Sequence, residues 1–202
     1  MMRASLLTLV VAFMLSACGS DTTEPDATAS PTASETATEQ AAPTQLSFGD
    51  AESVTWQPTA DVSGELTLQV DRVRAGDFAD FDGLAGSGIT QDNQPFYVDA
   101  LIVNQSDLDL GGLDVPLYLQ DSNGTLSPPW GFARPFKPCD SGPLPVPFAA
   151  GDRADLCLVF FGSPGAGFES VTFQPTLDAA AVTWTGEVAE PVLGTKPRKK
   201  PR

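Results

Sequence analysis

From residue 46 onward, apolar and polar positions alternate in short runs broken by Gly, Pro, Asn and Asp, and no long stretch keeps a 3.6-residue period. The alternation is plainest over Glu65–Asp71. There Leu66, Leu68 and Val70 fall on one side and polar residues on the other, which predicts a strand with one wet face. Arg72 and Arg74, two apart on that strand, are expected on the face opposite Leu66, Leu68 and Val70, toward the many acids. Phe96 to Val103 is apolar on both faces, broken only by Asp99, and predicts a central strand. Val115 to Gln120 and the run after Thr125 flank Asp121-Ser122-Asn123-Gly124, whose Asn-Gly step suits the positive φ angles of a tight hairpin. Pro116 cannot donate to a ladder, so it belongs at a strand edge or bulge. Leu156–Phe161 predicts a second buried strand, stopped by Gly162-Ser163-Pro164-Gly165, and Ser170–Gln174 and Val182–Thr185 close the domain. About eight short strands without a helix predict an all-β fold, a β-sandwich. Ser53–Thr59 is echoed by Ser170–Thr176, too short a match for a repeat architecture. It reads as two strands that end at similar turns; the other reading pairs them as first and last strands, aromatics inward.

Ahead of this body the pattern changes character twice. Met1-Met2-Arg3 precedes an apolar run, Ala4–Leu15, and then Leu15-Ser16-Ala17-Cys18-Gly19. One positive charge, a short apolar stretch and small residues at the cleavage site make a secretory signal too short to span a membrane. Leu-Ser-Ala-Cys resembles a bacterial lipobox, which implies cleavage after residue 17 and a diacylglyceryl group on the Cys18 thiol. At about 0.8 kcal/mol per buried methylene, two acyl chains anchor stably where one is marginal. Residues 19–45 are almost wholly Ser, Thr, Ala, Pro, Glu, Asp and Gln. They lack the apolar surface needed to offset ordering entropy, so residues 18–45 are expected to form a disordered tether spanning roughly 30 Å. The expected layout is therefore a signal over 1–17, the linker over 18–45, one domain over 46–190 and a basic tail over 191–202. The expected location is the extracytoplasmic face of the cell membrane, reached through a lipid anchor.

Charge sharpens this picture. The chain carries 26 acidic and 11 basic residues, a formal net charge of −15. Five of the bases fall in the last seven residues, Lys196–Arg202, which leaves only Arg72, Arg74, Arg134, Lys137 and Arg153 in the body. So acidic a domain repels nucleic acid and anionic lipid. The tail, interrupted by Pro, forms no helix. It suits contact with an anionic lipid surface or wall polymer, or with its own acidic domain.

Histidine is absent. That removes Ser-His-Asp and Cys-His nucleophile activation and every zinc site that uses imidazole. A two-carboxylate hydrolase remains chemically open, but the body holds so many acids that no pair stands out. No catalysis and no cofactor are expected. If Cys18 carries lipid, Cys139 and Cys157 remain as a pair in an oxidising compartment, where a disulfide is the default.

Two segments are candidates for recognition. Asp77-Phe78-Ala79-Asp80-Phe81-Asp82-Gly83 offers three carboxylates, Asp77, Asp80 and Asp82, to a calcium ion, which wants six to eight oxygens. It lacks the EF-hand spacing, and reads equally as a solvated loop with Phe78 and Phe81 packed beneath it. Asp107, Asp109 and Asp114 are a weaker version. Pro128–Pro138 brings together Trp130, Phe132, Arg134, Phe136 and Lys137, and aromatics with Arg are what interface hot spots use. The competing reading folds this loop back onto the sandwich, aromatics inside. Asn104-Gln105-Ser106 and Asn123-Gly124-Thr125 match the glycosylation sequon but suit turn chemistry better.

Several segments together carry a family resemblance. They are Gly83–Ile89, Pro95-Phe96-Tyr97-Val98-Asp99 with Val103-Asn104, Val115-Pro116-Leu117-Tyr118, and Lys137-Pro138-Cys139 through Leu156-Cys157-Leu158-Val159. Over roughly residues 46–188 the chain resembles actinobacterial lipoproteins of unknown function with an immunoglobulin-like or telokin-like extracellular domain. The resemblance implies an immunoglobulin-like sandwich, surface exposure, and contact with a ligand, an envelope protein or wall polymer. It supplies no catalytic residues.

Overall fold

The computed structural model describes residues 43–82, 84, 89–176 and 178–191. Cys18, the signal, the linker up to residue 42 and the tail from residue 192 lie outside the described residues.

The described residues form ten strands: β1 (Thr44–Ser47), β2 (Ala51–Thr59), β3 (Val62–Ala75), β4 (Pro95–Asn104), β5 (Leu117–Asp121), β6 (Leu126–Ser127), β7 (Arg153–Phe161), β8 (Phe168–Phe173), β9 (Val182–Thr185) and β10 (Val188–Ala189). One sheet runs β1-β9-β8-β5-β6. The other runs β10-β3-β4-β7, with β2 also paired to β3. Pairing is antiparallel except for β1 on β9 and β10 on β3.

The alternation read from the sequence becomes the sandwich core. Leu66, Leu68 and Val70 of β3, Val98, Ala100 and Ile102 of β4, and Leu158 and Phe160 of β7 line one inner face. Leu117 and Leu119 of β5, Val171 and Phe173 of β8, and Trp184 of β9 line the other. Burying such a side chain contributes about 1.5–3 kcal/mol, and two facing rows of them hold the sheets together. Trp56 and Phe173, from the two echoed segments, are both buried, but they sit on opposite sheets and do not pair.

The predicted strands are present, with four differences. The first strand begins at Thr44, inside the stretch expected to be linker. Its ladder to β9 uses backbone groups, which polar Thr44 and Gln45 supply as well as any residue. The two-residue β6 and β10 raise the count above eight. Leu158–Phe161 is buried as expected, Leu156 and Cys157 only half so, and β7 is an edge strand by position. Its burial comes from a loop laid over it. Finally, Phe78–Phe81 forms a single 3-10 turn, η1.

Arg72 and Arg74 do lie opposite Leu66, Leu68 and Val70, for a reason strict alternation does not supply. Period two alone would put residues 66 to 74 of even number on one face. Between Val70 and Arg72 the β3–β4 register shifts, so Val70 pairs with Ala100 and Arg72 with Asp99. Asp71 is the extra residue of this bulge. Val73 then turns inward, fully buried, while Arg72 and Arg74 turn outward to Asp99.

Turn chemistry explains the polar residues of the core. Asn104 is fully buried; its amide donates to the Leu108 and Phe148 carbonyls and its oxygen accepts from Ser106. This sequon asparagine is therefore spent on holding two loops together. Gly124 has φ +79°, as the hairpin requires.

Candidate functional site

The outer face of the β3–β4–β7 sheet carries Tyr97, Val159 and Phe161 at one end, too apolar to meet water. Two segments cover them. η1 drops Phe81 onto Tyr97 and Phe161, with ring centroids 6.3 and 4.9 Å away. The loop after β6 brings Phe136, stacked 4.8 Å from Phe81 and 4.7 Å from Phe132. Trp130 meets Phe161 edge-on at 5.3 Å. These rings form a second apolar cluster, separate from the sandwich core. Offset and tilted ring pairs of this kind add about 0.5–1.5 kcal/mol beyond area burial.

The loop is stapled in place at three points. The Trp130 N–H donates to the Val159 carbonyl at 2.7 Å, and the Val159 N–H donates to the Ser141 hydroxyl at 3.2 Å. This closes part of the free edge of β7, which would otherwise offer unpaired groups to another chain. Cys139 and Cys157 are joined in the disulfide that the cysteine count predicted, across a separation of 18 residues. Replacing both by Ala should lower the unfolding free energy by about 3 kcal/mol in the chain-entropy account. Urea denaturation measures this, and the same variant should become open to protease between residues 128 and 141. A variant as stable and as resistant as the parent would show that hydrogen bonds and rings hold the loop alone.

Between the two covering segments lies a groove of about 440 Å³. Phe78, Phe81 and Leu84 line one side, Trp130, Phe132 and Arg134 the other, with Phe136 and Phe161 also contributing to its wall. Four of the five residues singled out in the Pro128–Pro138 segment thus meet at one site. Trp130 and Phe132 are half-buried, Arg134 is exposed and Phe136 is buried. Lys137 is exposed and does not line the groove. Both readings of this segment hold in part, since the loop does fold back onto the sandwich and still leaves aromatic surface open. Phe78, Leu84 and Ile89 were not expected here. For Phe78 the signal was its i, i+3 spacing from Phe81, which one turn of 3-10 helix places on the same side.

The acidic loop does not assemble as a metal site. The Asp77 carboxylate caps η1, accepting from the Ala79 N–H at 2.9 Å. Asp80 accepts the Tyr97 hydroxyl proton at 2.8 Å. Asp82 is exposed beyond the turn. No group of three metal-ligating side chains converges among the described residues. A 3-10 turn explains this, because the side chains that pack inward are the two phenylalanines, while Asp77 and Asp80 take separate partners and Asp82 is exposed. The likewise acidic Asp109 caps a second loop, accepting from the Gly111 and Phe148 N–H groups, which hold its carboxyl below the ordinary range.

Electrostatics fix the floor of the site. Burial, then the hydrogen bond to Asp80, push the Tyr97 hydroxyl well above its ordinary pKa. It stays a neutral donor at any physiological pH. The Arg74 guanidinium lies 5.3 Å from the centre of the Tyr97 ring and pairs with Asp99, to which Arg72 also bonds. Of the two covering segments, the η1 turn carries Asp77, Asp80 and Asp82, none of which lines the groove, and the facing loop carries Arg134, which does. No family model, no curated protein and no solved structure matches this chain.

Proposed function

We propose that this protein is a non-catalytic binding module, carried on the extracytoplasmic face of the cell membrane by lipid on Cys18, that engages an envelope protein through the aromatic groove. The observation that carries the reading is the groove itself: open aromatic surface at Trp130 and Phe132 beside Arg134, on a loop stapled by a disulfide. Aromatic and Arg side chains dominate the energetics of interfaces. A loop already held in place loses less entropy on binding than a free one. The lack of histidine argues against the commonest forms of general-base and nucleophilic chemistry. The polar, apolar-poor composition of residues 19–45 supports a spacer between lipid and domain.

The test is photo-crosslinking in intact cells, with the reactive residue placed at Ala133 in the groove or at Thr55 on exposed β2. A single envelope partner captured from position 133 and not from 55 is expected. Arg134→Ala, which disturbs no packing, should cut that capture about tenfold or more, as befits a hot-spot residue, without moving Tm. Equal capture from both positions, or capture indifferent to Arg134→Ala, would refute the groove as the binding surface. Capture of wall polymer alone would refute the protein partner. A Cys18→Ala chain should leave the membrane fraction or remain uncleaved; unchanged processing and retention would refute the anchor.

A further inference from the structure

We propose that the groove has a resident occupant, the chain's own C-terminal segment, residues 192–202. In this arrangement its prolines lie against the aromatic wall and its cations beside the acidic η1 turn.

The last strand points the way. β10 runs parallel to β3, with Val188 opposite Val73 and Ala189 opposite Arg74. Continuing that register by two residues sets Pro191 level with Gly76, one residue before the Asp77 cap of η1. The chain thus leaves the sheet heading toward the η1 turn. The segment beyond it reaches about 36 Å when extended, whereas neighbouring strands stand about 4.8 Å apart. From β10 to the far wall over β7 the path crosses only β3 and β4, well within reach.

Charge points the same way. Residues 192–202 carry Lys196, Arg198, Lys199, Lys200 and Arg202 and no acid. The η1 turn beside the groove carries Asp77, Asp80 and Asp82, of which Asp82 makes no side-chain hydrogen bond among the described residues. Arg134 on the opposite lip, with Lys137 beyond it, repels the same cations and so holds them to the η1 side. So does shape. Pro197 and Pro201 favour the extended polyproline conformation, which is low in entropy and docks against aromatic-lined grooves. A short tether also holds the segment at a millimolar effective concentration, so a weak contact is enough for occupancy. A partner would then have to displace the tail; that consequence, unlike the docking itself, rests on the groove being the binding surface.

The experiment uses the full lipidated chain in detergent micelles, with p-benzoylphenylalanine replacing Lys199. Mass mapping is expected to find crosslinks to residues 78–84 and 130–135 of the same chain, at a yield independent of protein concentration. Asp82→Lys should reduce that yield about fivefold, the scale of an exposed ion pair, and 1 M salt should reduce it further. Crosslinks spread over β2 or the β5–β6 hairpin, crosslinks to a second copy, or a yield unmoved by Asp82→Lys would each overturn the proposal. No partner enters this readout, so its failure leaves partner binding by the groove standing, and failure of partner binding leaves the docking measurable.

Discussion

Phe81→Ala is expected to lower the unfolding free energy by about 4 kcal/mol, the scale of truncating a buried aromatic ring. Phe81 is 8% exposed and is the ring around which the outer cluster is arranged. Its neighbours are Phe136 and Phe161 within 5 Å and Tyr97, Phe132 and Phe78 at 6.3 Å. The residual cavity adds to the lost transfer energy. Phe78→Ala, half-buried at the groove's rim, should cost about 1–2 kcal/mol. Urea denaturation gives both values. The contrast decides whether the outer cluster belongs to the cooperative core. If Phe81→Ala costs less than about 1 kcal/mol, the covering loops are a separable layer and the sandwich stands without them.

Asp121→Ala should cost a similar amount, on the order of 4 kcal/mol, because it strands three donors at once. The carboxylate is fully buried. Oδ1 accepts from the Asn123 and Thr125 N–H groups at 2.9 and 3.0 Å, and Oδ2 from the Ser163 N–H at 3.0 Å. It ties the β5–β6 hairpin to the turn that ends β7. Burial by itself would raise this carboxyl, but the bonds from Ser163, Thr125 and Asn123 outweigh it and hold the group below the usual carboxylate range. The sign of the pH effect follows. With the folded pKa below the unfolded value of about 3.9, the stabilisation is present above that value and is lost as pH falls through the folded pKa. Asp121→Asn removes the titration. The stability gap between parent and Asp121→Asn should therefore be full at neutral pH and shrink below about pH 4. Other carboxylates are common to both proteins and cancel. A gap that stays constant from pH 7 to pH 2 would show that the charge does not contribute.

Much of the fold was legible in the chain. Strands β3, β4, β5, β7, β8 and β9 announce themselves because one face of each meets apolar neighbours, and period two records that directly. The hairpin at Asn123-Gly124 was legible because few residues accept positive φ. The Cys139–Cys157 bridge was legible as the pair left once Cys18 is set aside. Half of the groove was legible as well, since Trp130, Phe132, Arg134 and Phe136 are neighbours in sequence.

The rest was decided by the tertiary structure. Alternation reports that a face is buried but not what buries it, so Leu156–Phe161 read as an interior strand when a loop covers its outer side. The bulge at Asp71 is a property of the β3–β4 ladder, and only pairing reveals it. The fate of Asp77 and Asp80 turned on partners, a helix-turn N–H and a tyrosine from another strand, that no local spacing encodes. The groove itself joins η1, the loop after β6 and the end of β7. The sequence by itself determined which residues prefer burial, because hydrophobicity and backbone preference are local. The three-dimensional fold alone decided which buried surfaces meet and which aromatic faces stay open, because those contacts join residues far apart along the chain.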